Sequence, residues 1–278
     1  MNKNQNNNQD LLTFSQPIVM GIVNLTPDSF YDGGKLDNEK KLLFHIEKLI
    51  KDGADIIDIG AISSRPGSSM ISEKKERNRL MPKLKLIRKT FSDIHISIDT
   101  FRANIAQESI ELGANMINDI SAGEIDNKMF EMIALLKVPY VLMHMQGNPQ
   151  TMQDSPKYNN VINEVNLFFN EKLNVLKKIG VNNIIIDPGF GFGKTLKNNY
   201  EILNQLDLLQ RFNLPIMVGF SRKSMINSVL KTNSEKALNG TSILNTIALQ
   251  KGATIIRVHD VKEAKEAVKI YTFAKNCL

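Results

Sequence analysis

The sequence predicts a (β/α)8 TIM barrel, an α/β fold closed into one domain. Three observations predict it. Short runs rich in Ile, Val and Leu alternate with amphipathic segments of helical length about eight times along 278 residues. Nearly every apolar run ends on polar residues: Asn24, Asp58, Asp99, Asn118, His144, Asp187, Ser221 with Lys223, and Arg257 with His259. No glycine fingerprint for phosphate follows the first strand, as a doubly wound sheet usually has.

The elements follow in order. Residues 1–10 are nearly all Asn, Gln and Lys and bury too little apolar surface to offset ordering entropy. Residues 1–16 are therefore expected to be a disordered tail and lead-in, with one domain over 17–278. A strand is predicted over 18–23, then a long loop rich in Pro, Gly, Asp and Ser over 24–34. The helix after it places Leu42, Leu43, Ile46, Leu49 and Ile50 on one face. A strand over 54–59 leads into a second Gly/Ser/Pro loop over 60–69. Next come a helix over 72–90, a strand over 94–99, a helix over 102–112 and a strand over 114–119. A helix over 127–136 precedes the strand 139–144. The segment 158–179 carries Val161, Val165, Phe168, Phe169, Leu176 and Ile179 at helical spacing. Then follow strand 183–187, helix 198–212, strand 215–219, helices across 223–251, strand 254–258 and a closing helix.

Composition narrows the function classes. The net charge of +6 is spread along the chain, and there is no tryptophan. No basic run is interleaved with aromatics, so nucleic acid is not an expected partner. No apolar run approaches the roughly 20 residues of a membrane span, and the polar amino end does not resemble a secretory signal. The single cysteine, Cys277, excludes an intramolecular disulfide and a cysteine-based zinc site. A soluble cytoplasmic protein without membrane partners is expected. No histidine pair has metal-ligand spacing and no GxSxG elbow occurs, which argues against a zinc or serine hydrolase. His45, in an amphipathic helix, and His95, within a strand-like run, are read as structural.

The densest stretch is IIIDPGFGFGK, residues 184–194. Three β-branched residues form a buried strand that Asp187 and Pro188 stop, and glycines then alternate with Phe190 and Phe192. It is not a P-loop, because only three residues separate Gly189 from Gly193. Asp187 either faces a ligand or caps the next helix. In a barrel, however, strand ends converge on one mouth, so the polar residues there form one shared site. Asp, Asn and Lys together suit the edge of a flat heterocycle carrying N–H groups beside a carbonyl. Arg257 and His259 suit a phosphate, and Asn24 offers an oxygen to a magnesium ion that keeps most of its waters. The structural alternatives are an ion pair of Arg257 with Asp260 or a neighbouring acid and a helix-entry capping role for His259.

These residues resemble the dihydropteroate synthases of the folate pathway. The resemblance runs from Pro17 to the carboxyl end and rests on MGIVNLTPDSFYDGG at 20–34, SSRPGS at 63–68, SIDTFR at 97–102, IIIDPGFGFGK at 184–194, VGFSRKSMI at 218–226 and RVHDV at 257–261. It implies a transferase that joins 4-aminobenzoate to 6-hydroxymethyl-7,8-dihydropterin pyrophosphate and is a sulfonamide target. By position, Asp99, Asn118, Met143, Asp187, Phe192, Gly219, Lys223 and Arg257 would bind the pterin. Asn24, Arg65, Arg257, His259 and magnesium, held by Asn24, would bind pyrophosphate. Phe30, Ser64, Arg65, Pro66, Phe192, Ser221 and Lys223 would shape the aminobenzoate pocket. Asp99, Asp32, Lys223, Arg257 and His259 would carry an SN1-like reaction, with Asp32 helping to close the site. A homodimer packed through late helices is expected, where Ile243, Leu244, Ile247 and Ala248 face either the partner or the barrel.

One departure stands out. The second loop reads GAISSRPG where the family commonly has GGESTRPG, so Ile62 replaces an acid, Ala61 a glycine and Ser64 a threonine. Ser64 keeps the hydroxyl, and activity is expected to survive. The alternatives are a pterin-binding methyltransferase domain and a pterin-binding protein without turnover. The SSRPG loop and the Arg257/His259 pair argue against the first.

Overall fold

The computed structural model describes residues 16–25, 35–62 and 70–277. The tail 1–15, most of the first loop and residues 63–69 of the second lie outside them. The elements are β1 (Ile18–Asn24), α1 (Lys35–Lys51), β2 (Ile56–Gly60), α2 (Glu73–Thr90), β3 (His95–Asp99), α3 (Ala103–Glu111), β4 (Met116–Asp119), α4 (Met129–Leu136) and β5 (Tyr140–Met143). Then come α5 (Val161–Lys178), β6 (Ile184–Asp187), α6 (Leu196–Asn204), β7 (Met217–Val218), α7 (Ser224–Leu230), α8 (Leu238–Gln250), β8 (Ile255–Val258) and α9 (Val261–Lys275). The strands pair in parallel in the order β6-β5-β4-β3-β2-β1-β8-β7. A single parallel bridge, Ile186 to Ile216, joins the two open edges. The barrel is nearly closed, as the alternation predicts.

Two of the expected elements differ. The segment predicted as one helix over 198–212 is α6 followed by a 3-10 helix, Leu206–Phe212. Thr195 and Asn198 form a reciprocal cap that starts α6 early, and Asn213 ends the second piece in the left-handed region at φ 52°. The strand predicted over 215–219 is only two residues long, since Pro215 has no N–H to give the ladder. Pro82, inside α2, is tolerated because it lies on the exposed face, where the freed carbonyl meets water.

Side chains on a strand alternate faces, and this sorts the barrel into an outer and an inner set. Outward residues such as Val19, Ile57, Ile98, Ile117 and Ile186 pack against the helices in the main core. Inward residues Met20, Ile56, Met116, Val141, Ile185, Met217 and Ile255 touch each other and plug the barrel. The next inward position along most of these strands is polar: Asp58, Asn118, Asp187 and Arg257, with Ile22, Met143 and Gly219 completing the tier. An apolar floor therefore carries a polar layer at the carboxyl ends of the strands. Of the four residues left open on α8, Leu244 and Ala248 are buried, whereas Ile243 is half exposed.

Candidate active site

Register fixes which polar residues meet. Asp99 lies opposite Asn118 and Gly60, and Gly60 lies opposite Asn24. A β-carbon at residue 60 would approach the Asp99 carboxylate to 3.5 Å, so the absent side chain leaves that carboxylate room. Asp58, fully buried one tier lower, accepts at one oxygen from both Asn118 Nδ2 (3.0 Å) and Arg257 Nε (2.7 Å). Arg257 Nη2 donates to Asp99 at 2.8 Å. Four residues from four strands thus form one network, and Arg257 pairs with Asp58 and Asp99. Asp260 pairs instead with Arg222. The sequence reading gives Asp58 no role beyond its place at a strand end. Its signal was a carboxylate two residues before the last position of β2, facing inward with the others.

The electrostatics are uneven. Burial lifts Asp99 to about 7, with Asp58, Glu76 and Asp119 adding repulsion and Arg257 pulling the other way. Burial also raises Asp187, against the pull of the Gly189 N–H, Lys223 and Lys194. Lys223 is lowered by burial to about 8, with Asp187 opposing. Burial works against the charge of Arg257, yet Asp58 and Asp99 hold it above the ordinary range. Two buried acceptors, Asn118 Oδ1 and Asp58 Oδ1, have no hydrogen-bond partner among the described residues. Desolvated acceptors of this kind favour a ligand that brings N–H donors.

The loop after β6 forms the adjoining wall. Asp187 Oδ1 accepts from the Gly189 N–H at 2.7 Å, as an aspartate at a turn does. Gly189 and Gly193 have φ of 68° and 59°, and a β-carbon on either would collide with backbone, that of His144 or Gln146. The buried ammonium of Lys194 donates to the carbonyls of His144 (3.2 Å), Gly189 (2.9 Å) and Phe192 (2.9 Å). It staples this loop to the end of β5. Lys223 Nζ donates to the Phe190 carbonyl at 2.6 Å and lies 4.7 Å from the Phe192 ring centre. Phe192 packs with Met143, Phe101, Ile120, Met145 and Met152, and Ile62 joins the same apolar cluster. An aliphatic residue at 62 is therefore accommodated.

Of the residues singled out in the sequence, the barrel brings Asp99 and Arg257 into direct contact, and Asn118 joins them through Asp58. Asp187, Lys223, Met143, Phe192 and Gly219 stand on neighbouring strand ends, and Ser221 meets His259 through two contacts of 3.1 and 3.0 Å. Asn24 ends β1, half buried. Phe30, Asp32, Ser64, Arg65 and Pro66 lie outside the described residues. His144 Nδ1 is buried and burial drives its pKa to about 2, so this strand-end histidine is neutral. His95 is the first residue of β3, not its middle, and burial lowers both it and His45.

Fold and site together define a (β/α)8 enzyme with a buried polar pocket at the carboxyl face of its sheet. Comparison with known proteins agrees. A family profile described as pterin binding enzyme matches residues 20–259. The dihydropteroate synthase of Escherichia coli (strain K12) is 43% identical over 93% of this chain and 92% of its own. A crystal structure of the Yersinia pestis dihydropteroate synthase with a sulfonamide drug complex superposes with a TM-score of 0.88 at 41% identity, covering 94% of this chain and 95% of that one. The Xanthomonas albilineans dihydropteroate synthase, solved with 4-aminobenzoic acid, superposes with a TM-score of 0.87 at 34% identity, covering 94% of each chain. The chain belongs to the pterin binding enzyme family, in its dihydropteroate synthase branch, and is a transferase of that type.

Proposed function

We propose that the protein condenses 6-hydroxymethyl-7,8-dihydropterin pyrophosphate with 4-aminobenzoate, giving 7,8-dihydropteroate and pyrophosphate, by an SN1-like route. The observation that carries it is the buried tier in which Asp58 ties Asn118 to Arg257 beside Asp99, with Asp187 and Lys223 on the adjoining strand ends. An aminopyrimidinone edge offers N–H donors to Asp187 and Asn118 and acceptors to Lys223. Arg257, held in plane by two carboxylates, presents its flat face to the pterin ring. Met143, Phe192 and Gly219 complete that pocket.

Pyrophosphate leaves as its charge is met by Arg257 and His259, with Arg65 adding to them. The C–O bond breaks with its electrons going to pyrophosphate, and Asp99 and Asp32 stabilise the pterin cation that remains. The neutral amine of aminobenzoate attacks that carbon and loses its proton afterwards, in a pocket shaped by Phe30, Ser64, Pro66, Phe192 and Ser221. Among the described residues no three acidic, histidine or cysteine side chains cluster as a cage for a metal. Asn24, at the end of β1, offers one amide oxygen to magnesium, which would take its other ligands from water and substrate phosphate. When bound, it would offset the negative charge of the leaving group.

A homodimer is part of the same reading. Ile243 on α8 and Ile270 and Phe273 on α9 are large apolar side chains left half or more exposed, and sedimentation of Ile243→Glu against the parent protein tests it. So is a cytoplasmic location, since a pyrophosphorylated substrate does not cross membranes unaided.

The deciding experiment is an assay of pyrophosphate release with dihydropterin pyrophosphate, 4-aminobenzoate and magnesium. Release that needs all three and falls with a sulfonamide supports the reading. Pterin binding without release would put the non-catalytic alternative in its place.

A further inference from the structure

Arg222 stands between two residues of the site, Ser221 and Lys223, yet its guanidinium is committed elsewhere. Nε and Nη2 donate to the two oxygens of Asp260 at 2.9 and 2.7 Å. Nη1 donates to the carbonyls of Ser234 (3.0 Å) and Glu235 (3.3 Å). Its backbone adopts φ 59°, a conformation rare for a residue with a β-carbon, and its N–H meets Thr241 Oγ1 at 3.2 Å. Asp260 in turn follows His259 directly. It precedes α9 but its carboxylate makes no capping bond there, so the ion pair is its described engagement. The pair is bidentate, the geometry in which arginine and carboxylate hold each other most rigidly.

The neighbouring residues repeat the pattern. Ser221 Oγ accepts the His259 N–H at 3.1 Å and contacts its Nδ1 at 3.0 Å. Two consecutive residues after β7 thus grip two consecutive residues after β8. The contact with Ser221 orients the imidazole ring, and the ion pair fixes the backbone that carries it.

We propose that Arg222 and Asp260 are positioning residues that lock the β7 loop to the β8 loop and so aim His259 at the pyrophosphate group. The inference rests on the reading of His259 given above. It predicts a selective defect. The pterin edge is bound by Asp187, Asn118 and Lys223, and the hydrogen bonds of Arg222 run to Asp260, Ser234, Glu235 and Thr241 and to none of these three. The phosphate end depends on His259 directly.

The test is calorimetric titration of the full-length protein, with magnesium present, against pyrophosphate and separately against 6-hydroxymethylpterin, which carries no phosphate. In Asp260→Asn, Asp260→Ala and Arg222→Met the pyrophosphate Kd is expected to rise about tenfold, while the pterin Kd stays within about twofold. The double variant Arg222→Met/Asp260→Asn is expected to be no worse than either single change, because the pair acts as a unit. Unchanged pyrophosphate affinity in the Asp260 variants overturns the proposal. So does an equal loss of both affinities, which would mark the pair as merely structural. Parent protein that binds pterin but no pyrophosphate sinks the reading of His259 itself, and that outcome appears before any variant is made.

Discussion

Asp58 gathers two donors on one buried oxygen, and the stability of the pocket depends on it. Arg257 carries a charge that burial disfavours, and Asp58 and Asp99 are its counter-ions. Replacing Asp58 with Asn leaves that guanidinium half compensated and turns an acceptor toward Asn118 into a competing amide. Breaking a buried pair in this way costs about 3–5 kcal/mol. Asp58→Asn is expected to lower the melting temperature clearly and to reduce kcat/KM about a hundredfold; near-parent values in both would remove Asp58 from the site. Lys194 is the opposite case, a cation whose hydrogen bonds go to carbonyls, with the Asp187 carboxylate near enough to support its charge. Burial pulls its pKa to about 7, but three acceptors each call for a proton, which favours the ammonium. Lys194→Met removes the staple between the β6 loop and β5. The expected result is a KM for dihydropterin pyrophosphate raised about tenfold with kcat changed less, and steady-state kinetics at pH 7 would show whether the split occurs.

At the scale of elements, the informative piece is the second loop where it leaves β2. Ile62 packs against the apolar cluster that holds Phe101 and Met143, so this chain seals the loop base with apolar contact at the position where the motif expected from the resemblance has an acid. The carbonyl of Ala61 is also held by Arg79 Nη1 at 3.2 Å. Buried Glu76 on α2 pairs with Arg102, which reaches the Ile71 carbonyl at 2.5 Å on the other side of the loop. The loop is therefore anchored at both described ends without an acid at 62. Restoring it by Ile62→Glu sets a carboxylate against an apolar wall, and kcat is expected to rise less than about twofold or to fall. A large gain would show that the loop was impaired as it stands.

For the whole molecule, the barrel concentrates ionisable groups in a dry mouth, and pH acts on them together. Catalysis as proposed uses Asp99 ionised and Lys223 protonated, with pKa values near 7 and 8. The pH profile of kcat/KM is expected to be a narrow bell, falling below about 7 and above about 8. A flat profile from pH 6 to 9 would mean neither group titrates in the free enzyme. The stability consequence has a definite sign. Asp99 has a folded pKa above its unfolded 3.8, so its protonated form supports the fold at low pH, and that support is lost as pH rises through about 7. Relative to Asp99→Asn, the parent protein should therefore lose melting temperature between pH 5 and 8. Buried charge that weakens the empty protein is, in the proposed reaction, what binds and turns over the substrate, a common trade at functional sites.

The chain by itself determined the fold class, because hydrophobic period and segment length are local properties: Ile184–Asp187 reads as a buried parallel strand without reference to any other. It also placed polar residues at strand ends, among them Asp99, Asn118 and Arg257, which closure of the barrel gathers with Asp58 into one network. What it did not reveal was pairing. That Arg257 meets Asp58 and Asp99 and not the nearby Asp260, that Asp260 belongs to Arg222, and that Lys194 answers the carbonyl of His144 all depend on strand register across the barrel. Arg257 and Asp58, 199 positions apart, become neighbours only when the sheet closes. The shortness of β7 and the 3-10 form of Leu206–Phe212 were not legible in the helical and strand patterns around them, although left-handed Asn213 and Pro215 separate the two elements. Local chemistry chose the elements; closure of the barrel chose the partners.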